Sequence, residues 1–212
     1  DAVTGAKLNP SLVTGDIIYS DGTDSIERLA KPASPAGEVL TFATSATAPS
    51  WVAPAGGGKC LQVVVKNYTT QTSTTAGWDM RSGTSPTQSE GLELYTQAIT
   101  PQSATSSLVY VCTLVIGFNG DYRYGGGALF RDSSSTATNA CQHTMVSGGE
   151  WMTMSMTGSV ASSSTSSTTF KVRAGRNTTH SSITMYINRG SNTTTFGGSS
   201  LNSSLLIWEI EA

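Results

Sequence analysis

The run Leu108-Val109-Tyr110-Val111-Cys112-Thr113-Leu114-Val115-Ile116-Gly117-Phe118 constrains the fold of this chain more than any other feature. Read as a strand, its side chains alternate between two faces, and both faces are apolar. Such a strand must be covered twice. One cover is an opposing sheet; the other is further structure of the same chain or a neighbouring copy. In a chain of 212 residues a neighbouring copy is the simpler answer.

The rest of the C-terminal part reads in the same way. Strand candidates span residues 61–68, 92–99, 108–118, 128–132, 151–160, 169–174, 183–189 and 205–211, separated by Ser, Thr, Gly and Asn. Met152, Met154 and Met156 alternate with Thr153, Ser155 and Thr157, the period-2 pattern of a half-buried strand. No helical apolar period is present. The expectation is an all-β fold, a jelly-roll-like β-sandwich head over residues 56–212.

Residues 1–55 carry shorter pieces, Gly15-Asp16-Ile17-Ile18-Tyr19 and Gly37-Glu38-Val39-Leu40-Thr41-Phe42, between turn residues and prolines. None has enough apolar residues for a core of its own. They are expected to form a short β-rich neck in which strands from three copies intertwine around a shared axis. Pro54-Ala55-Gly56-Gly57-Gly58 reads as the junction between neck and head.

Composition removes several function classes. Charged residues make up 12% of the chain and the net charge is −2, so no basic face is available for nucleic acid or an anionic membrane surface. Ser and Thr supply roughly 30% of the residues. No apolar stretch reaches about 18 residues, which argues against membrane insertion, and Asp1-Ala2-Val3-Thr4 does not read as the start of a signal peptide. Cys60, Cys112 and Cys141 are odd in number and far apart, which suggests free thiols and assembly in a reducing bacterial cytoplasm.

Catalytic and metal chemistry find little support. His143 and His180 are the only histidines, neither in a metal-ligand spacing, and no Gly-x-Ser-x-Gly elbow occurs. Asp79, Glu90 and Glu93 are the carboxylates that a glycan-cleaving enzyme would use, with solvated loop charge as the plainer reading. Gly125-Gly126-Gly127 precedes a strand rather than a helix, so it is read as shaping a loop and not as a phosphate cradle. No catalytic residue, metal or cofactor is expected. For receptor binding, Tyr122, Arg123 and Tyr124 between turn residues combine stacking faces with a guanidinium fork suited to surface glycans. Trp78, Asp79 and Arg81 form a second candidate group.

Two sets of segments carry a family resemblance. The first is Gly15-Asp16-Ile17-Ile18-Tyr19, Arg28-Leu29-Ala30, Gly37-Glu38-Val39-Leu40-Thr41 and Ala48-Pro49-Ser50-Trp51. The second is Ile99-Thr100-Pro101, Ala128-Leu129-Phe130-Arg131-Asp132, Thr169-Phe170-Lys171-Val172, Met185-Tyr186-Ile187-Asn188-Arg189 and Trp208-Glu209-Ile210. In this order they resemble the neck and distal head of tail-fibre proteins of tailed bacteriophages. The resemblance implies a homotrimeric virion protein, joined to upstream fibre or other tail proteins, that binds a glycan or protein on the host surface. A virion whisker, collar or decoration protein, and a polysaccharide depolymerase, are the alternatives.

Overall fold

A computed structural model describes residues 12–20, 26–33, 37–42, 48–53, 58–79, 83–120, 123–145, 151–179, 183–189 and 201–211. All regular structure among them is strand. The chain divides into two compact units, Asp1–Gly57 and Gly58–Ala212.

The N-terminal unit holds two small antiparallel sheets. Strand β1 (Ile17–Ser20) pairs with β2 (Ile26–Leu29), and β3 (Val39–Thr41) pairs with β4 (Ser50–Val52). The first pair is locked by a buried carboxylate. Asp16 accepts hydrogen bonds from the Val13 and Lys31 backbone N–H groups and from Arg28 Nε, the last at 2.6 Å. Those backbone donors, helped by Arg28 and opposed by burial, hold the Asp16 carboxyl below the usual carboxylate range. The Gly-Asp and Arg-Leu-Ala segments that stood out in the sequence are therefore two halves of one clamp.

The C-terminal unit is a sandwich. In chain order its long strands are β5 (Cys60–Tyr68), β8 (Leu92–Ile99), β9 (Ser107–Phe118), β10 (Arg123–Arg131), β11 (Asn139–Met145), β12 (Trp151–Ala161), β13 (Thr168–Asn177) and β15 (Ser203–Ile210). One sheet runs β5-β15-β9-β12 and the other β8-β13-β10-β11. Counted among the eight, that is 1-8-3-6 facing 2-7-4-5, the interleaving produced when two Greek keys wrap into a jelly roll. Short strands β6 (Thr72–Thr74) and β14 (Met185–Ile187) extend the first sheet beyond β15, and β7 (Gly77–Trp78) extends the second beside β13.

The core lies between the sheets. Leu108, Tyr110, Cys112, Leu114, Ile116 and Phe118 of β9 meet Phe170 and Val172 of β13, Leu129 of β10, and Met154 and Met156 of β12. Burial holds the Cys112 thiol up to about 12, with Tyr95 Oη 3.8 Å away. Leu205 and Ile207 close the same layer from β15.

Two sequence expectations need correction. Gly125, Gly126 and Gly127 do not shape a loop but lie inside β10, where a side chain on Gly125 would collide with the Phe118 ring and one on Gly127 with Leu114. The strand is glycine-rich because the Phe118 ring, the Leu114 side chain and the Cys141 backbone press against its own backbone. The segment expected as a Tyr-Arg-Tyr loop is correspondingly shorter, since Arg123 and Tyr124 already pair in β10 with Met145 and Thr144. Strand β11 had no candidate at all. It is a sheet-edge strand of largely polar sequence, so it lacks the apolar alternation by which strands are recognised.

Candidate functional site

The outer face of the β8-β13-β10-β11 sheet carries a second, smaller apolar cluster made of Trp78, Ala128 and Phe130, with Ala137 packed on it. Trp78 lies against Gly175 and Gly91, where an added side chain would strike its ring. Gly91 also has φ +68°, a conformation that glycine adopts without strain. A strap formed by residues 83–91 crosses this face and is pinned from below. Arg173 donates to the Glu90 and Gly91 carbonyls and pairs with Glu93 at 3.0 Å, while Lys171 donates to Gln88. Pro86 O accepts the Ala137 N–H, and Gln88 reaches the Asp132 and Ser134 carbonyls.

Between strap and sheet lies a cavity of about 310 Å³, lined by Trp78, Thr84, Pro86, Ala140, Cys141 and Gln142. The volume falls at the lower end of small-ligand sites. An aromatic edge, a proline ring, a threonine hydroxyl and a glutamine amide form an uncharged lining of mixed polarity, suited to a neutral sugar rather than a charged group. By strand alternation Tyr124 lies on the same sheet face as Ala128, two residues along from Gly126, which pairs with Gln142.

The candidates from the sequence are thus partly gathered. Trp78 lines the cavity while most of its ring is packed, Asp79 is exposed beside it in the chain, and Tyr124 is half-buried in β10. Tyr122 and Arg81 lie outside the described residues, as does the Arg123 side chain. Gln142, Cys141 and Pro86 were not among the receptor candidates, because two belong to the unrecognised β11 and one to the strap. Two of the three carboxylates considered for glycan cleavage are engaged elsewhere: Glu90 accepts from the Thr87 N–H and hydroxyl, and Glu93 pairs with Arg173. Among the described residues no three His, Cys, Asp or Glu side chains converge as a metal site would require.

The C-terminal segments that carry the sequence resemblance fall on structural fasteners instead. Arg131 donates to the Thr168 hydroxyl and to the Ala161 and Ser162 carbonyls, and Asp132 accepts from the Thr168 hydroxyl and the Thr169 N–H. Buried Asn188 joins Tyr68, Thr70 and Ser203. Glu209 is fully buried and accepts from Gln62, the Ser106 hydroxyl and the N–H groups of Gln102 and Ser103, at 2.6 to 2.9 Å. Burial alone would raise the Glu209 pKa, but the Gln62 amide and these other donors outweigh it and pull the carboxyl down to about 2.

No protein-family model matches the chain, and no curated protein does. Among solved structures it is similar to the C-terminal domain of EclA, a sugar-binding protein, at 16% identity and a TM-score of 0.30, covering 66% of this chain and 86% of that one. A chain of infectious bursal disease virus, Gt strain, matches at 14% identity and a TM-score of 0.35, covering 92% of this chain and 46% of the viral one. Likeness at this level carries nothing about function.

Proposed function

We propose that this chain is the neck and distal head of a trimeric bacteriophage tail fibre, and that the head binds a glycan on the host surface. One observation carries the assembly part. Ten large apolar side chains are exposed among the described residues, and seven of them, Val13, Ile18, Ile26, Val39, Leu40, Phe42 and Val52, lie in the N-terminal unit. Two hairpin-sized sheets that turn their apolar side chains outward are marginal in water as a single chain. Equivalent strands of neighbouring copies would cover them. The buried indole Nε1 of Trp51, without a hydrogen-bond partner among the described residues, fits the same arrangement.

The receptor part rests on the sequence motifs and on the Trp78–Gln142 cavity, held on a rigid jelly roll of a kind used in both capsid and lectin domains. The head needs no catalytic group for this role. The test is binding of the purified chain to a panel of bacterial surface polysaccharides and to host cells, with competition against phage adsorption. Binding should weaken by about tenfold in Gln142→Ala, the scale of one or two lost hydrogen bonds. Binding to neither polysaccharide nor cells, with adsorption unaffected, would leave the whisker, collar or decoration role. Shortening of the bound polysaccharide would favour the depolymerase.

A further inference from the structure

The two outer faces of the head differ in kind. The face of β8-β13-β10-β11 presents Glu93, Lys171 and Arg173 and is crossed by the strap. On the β5-β15-β9-β12 sheet, alternation sets one face into the core through Leu108, Tyr110, Cys112, Leu205 and Ile207, so the intervening residues face outward. Cross-strand register then assembles two apolar rows, Val63–Trp208–Val109 and Val65–Leu206–Val111. Val63 and Val65 remain 47% and 52% exposed. On the fourth strand the outward positions are Ser, Thr, Ala and Trp151, so no outward position on any of the four strands bears a charge.

We infer that this sheet face is where copies of the chain pack on one another in the head. The inference rests on the fibre reading and adds to it a specific surface and its residues. Three observations select a second copy as the occupant. A face without charge can meet its like without electrostatic repulsion, and depletion of charge around an aromatic residue is the signature of an interface centre. The N-terminal unit of the same chain independently calls for neighbouring copies, and the chain enters the head at β5, the outermost strand of this sheet. Four strands over about eight residues project an area on the order of 500 Å², a large part of the roughly 800 Å² that each partner gives to a standard interface, before the neck adds its share. The second cover that the doubly apolar β9 demands is then supplied by another subunit.

The experiment combines light scattering over a dilution series with hydroxyl-radical footprinting of the full chain. The expected result is a mass near three chains, with Trp208 and Val65 protected in the assembly and labelled once dilution separates it. The double variant Val63→Asp/Val65→Asp should weaken association by about a hundredfold or more, because like charges would then face one another. Thr96→Asp, on the opposite sheet, should leave the mass unchanged. An assembly whose Trp208 and Val65 label as strongly as in the separated chains would overturn this inference while leaving the trimeric fibre intact. A wild-type chain that stays monomeric at high concentration would overturn both. If the aspartate variant does not fold, Val63→Thr/Val65→Thr keeps the β-branched shape, and the wild-type footprint still decides.

Discussion

The C-terminal and N-terminal units use apolar residues differently. In the C-terminal unit most of them turn inward, and among the described residues twenty buried ones form one continuous core, with two apolar rows left on the outer face of one sheet. In the neck they turn outward, and what keeps the strands in register is polar, above all Asp16 with Arg28 and two backbone N–H groups. The contrast separates two jobs that are often merged. Polar clamps specify local geometry, because their bonds are directional, but contribute modest net stability. Burial contributes most of the stability but is not directional. The C-terminal unit has both within one chain, whereas the N-terminal unit leaves seven large apolar side chains exposed among its described residues, and under the proposed assembly neighbouring copies would cover them.

The sharpest way to break this contrast is to damage the head core. Phe170 is fully buried against Tyr110, and Phe170→Ala should lower unfolding stability by about 3–5 kcal/mol in urea titration. Next comes Glu209. Its folded pKa lies near 2, below its value in the unfolded chain, so its contribution is fully present above about pH 5 and is lost as pH falls towards 2. A downward shift of this size corresponds to about 3 kcal/mol near neutral pH. Glu209→Gln should lose an amount of that order and flatten the pH dependence of stability between pH 5 and 2; an unchanged slope would mean that other carboxylates govern it.

In the neck the same kind of test should give a different readout. Leu40→Ser/Phe42→Ser removes side chains that are 41% and 68% exposed in the single chain. Head unfolding should therefore stay as it is, while association weakens by about thirtyfold or more, from roughly 1–2 kcal/mol of burial lost per side chain. Unchanged association would place those residues outside any interface. The smallest effect concerns the thiols. With its pKa pushed up to about 12 by burial, Cys112 should resist alkylation in the native head, while exposed Cys60 reacts.

Much of the fold was legible from local pattern. The alternation of Met152, Met154 and Met156 marked β12, and the run 108–118 marked the central β9, each within a residue or two of its observed bounds. Legibility failed where the pattern answers to a distant neighbour. Gly125 and Gly127 look like loop residues until Phe118 and Leu114 are placed against them. At the site, Trp78 was visible as an aromatic between turn residues, but Pro86, Cys141 and Gln142 were not. They come together only through the strap and the edge strand.

By itself, the sequence determined that this chain is built of strands and which side chains share a face, since a two-residue period is a local property of the backbone. It marked β9 as apolar on both faces, of which the structure covers one with the opposing sheet. Tertiary structure alone decided which strands are neighbours, which face of β9 meets the core, and why a carboxylate is tolerated at Glu209. The Gln62 amide that holds Glu209 is 147 residues away in sequence, and a contact at that separation exists only after the sheet that joins β5 to β15 has formed.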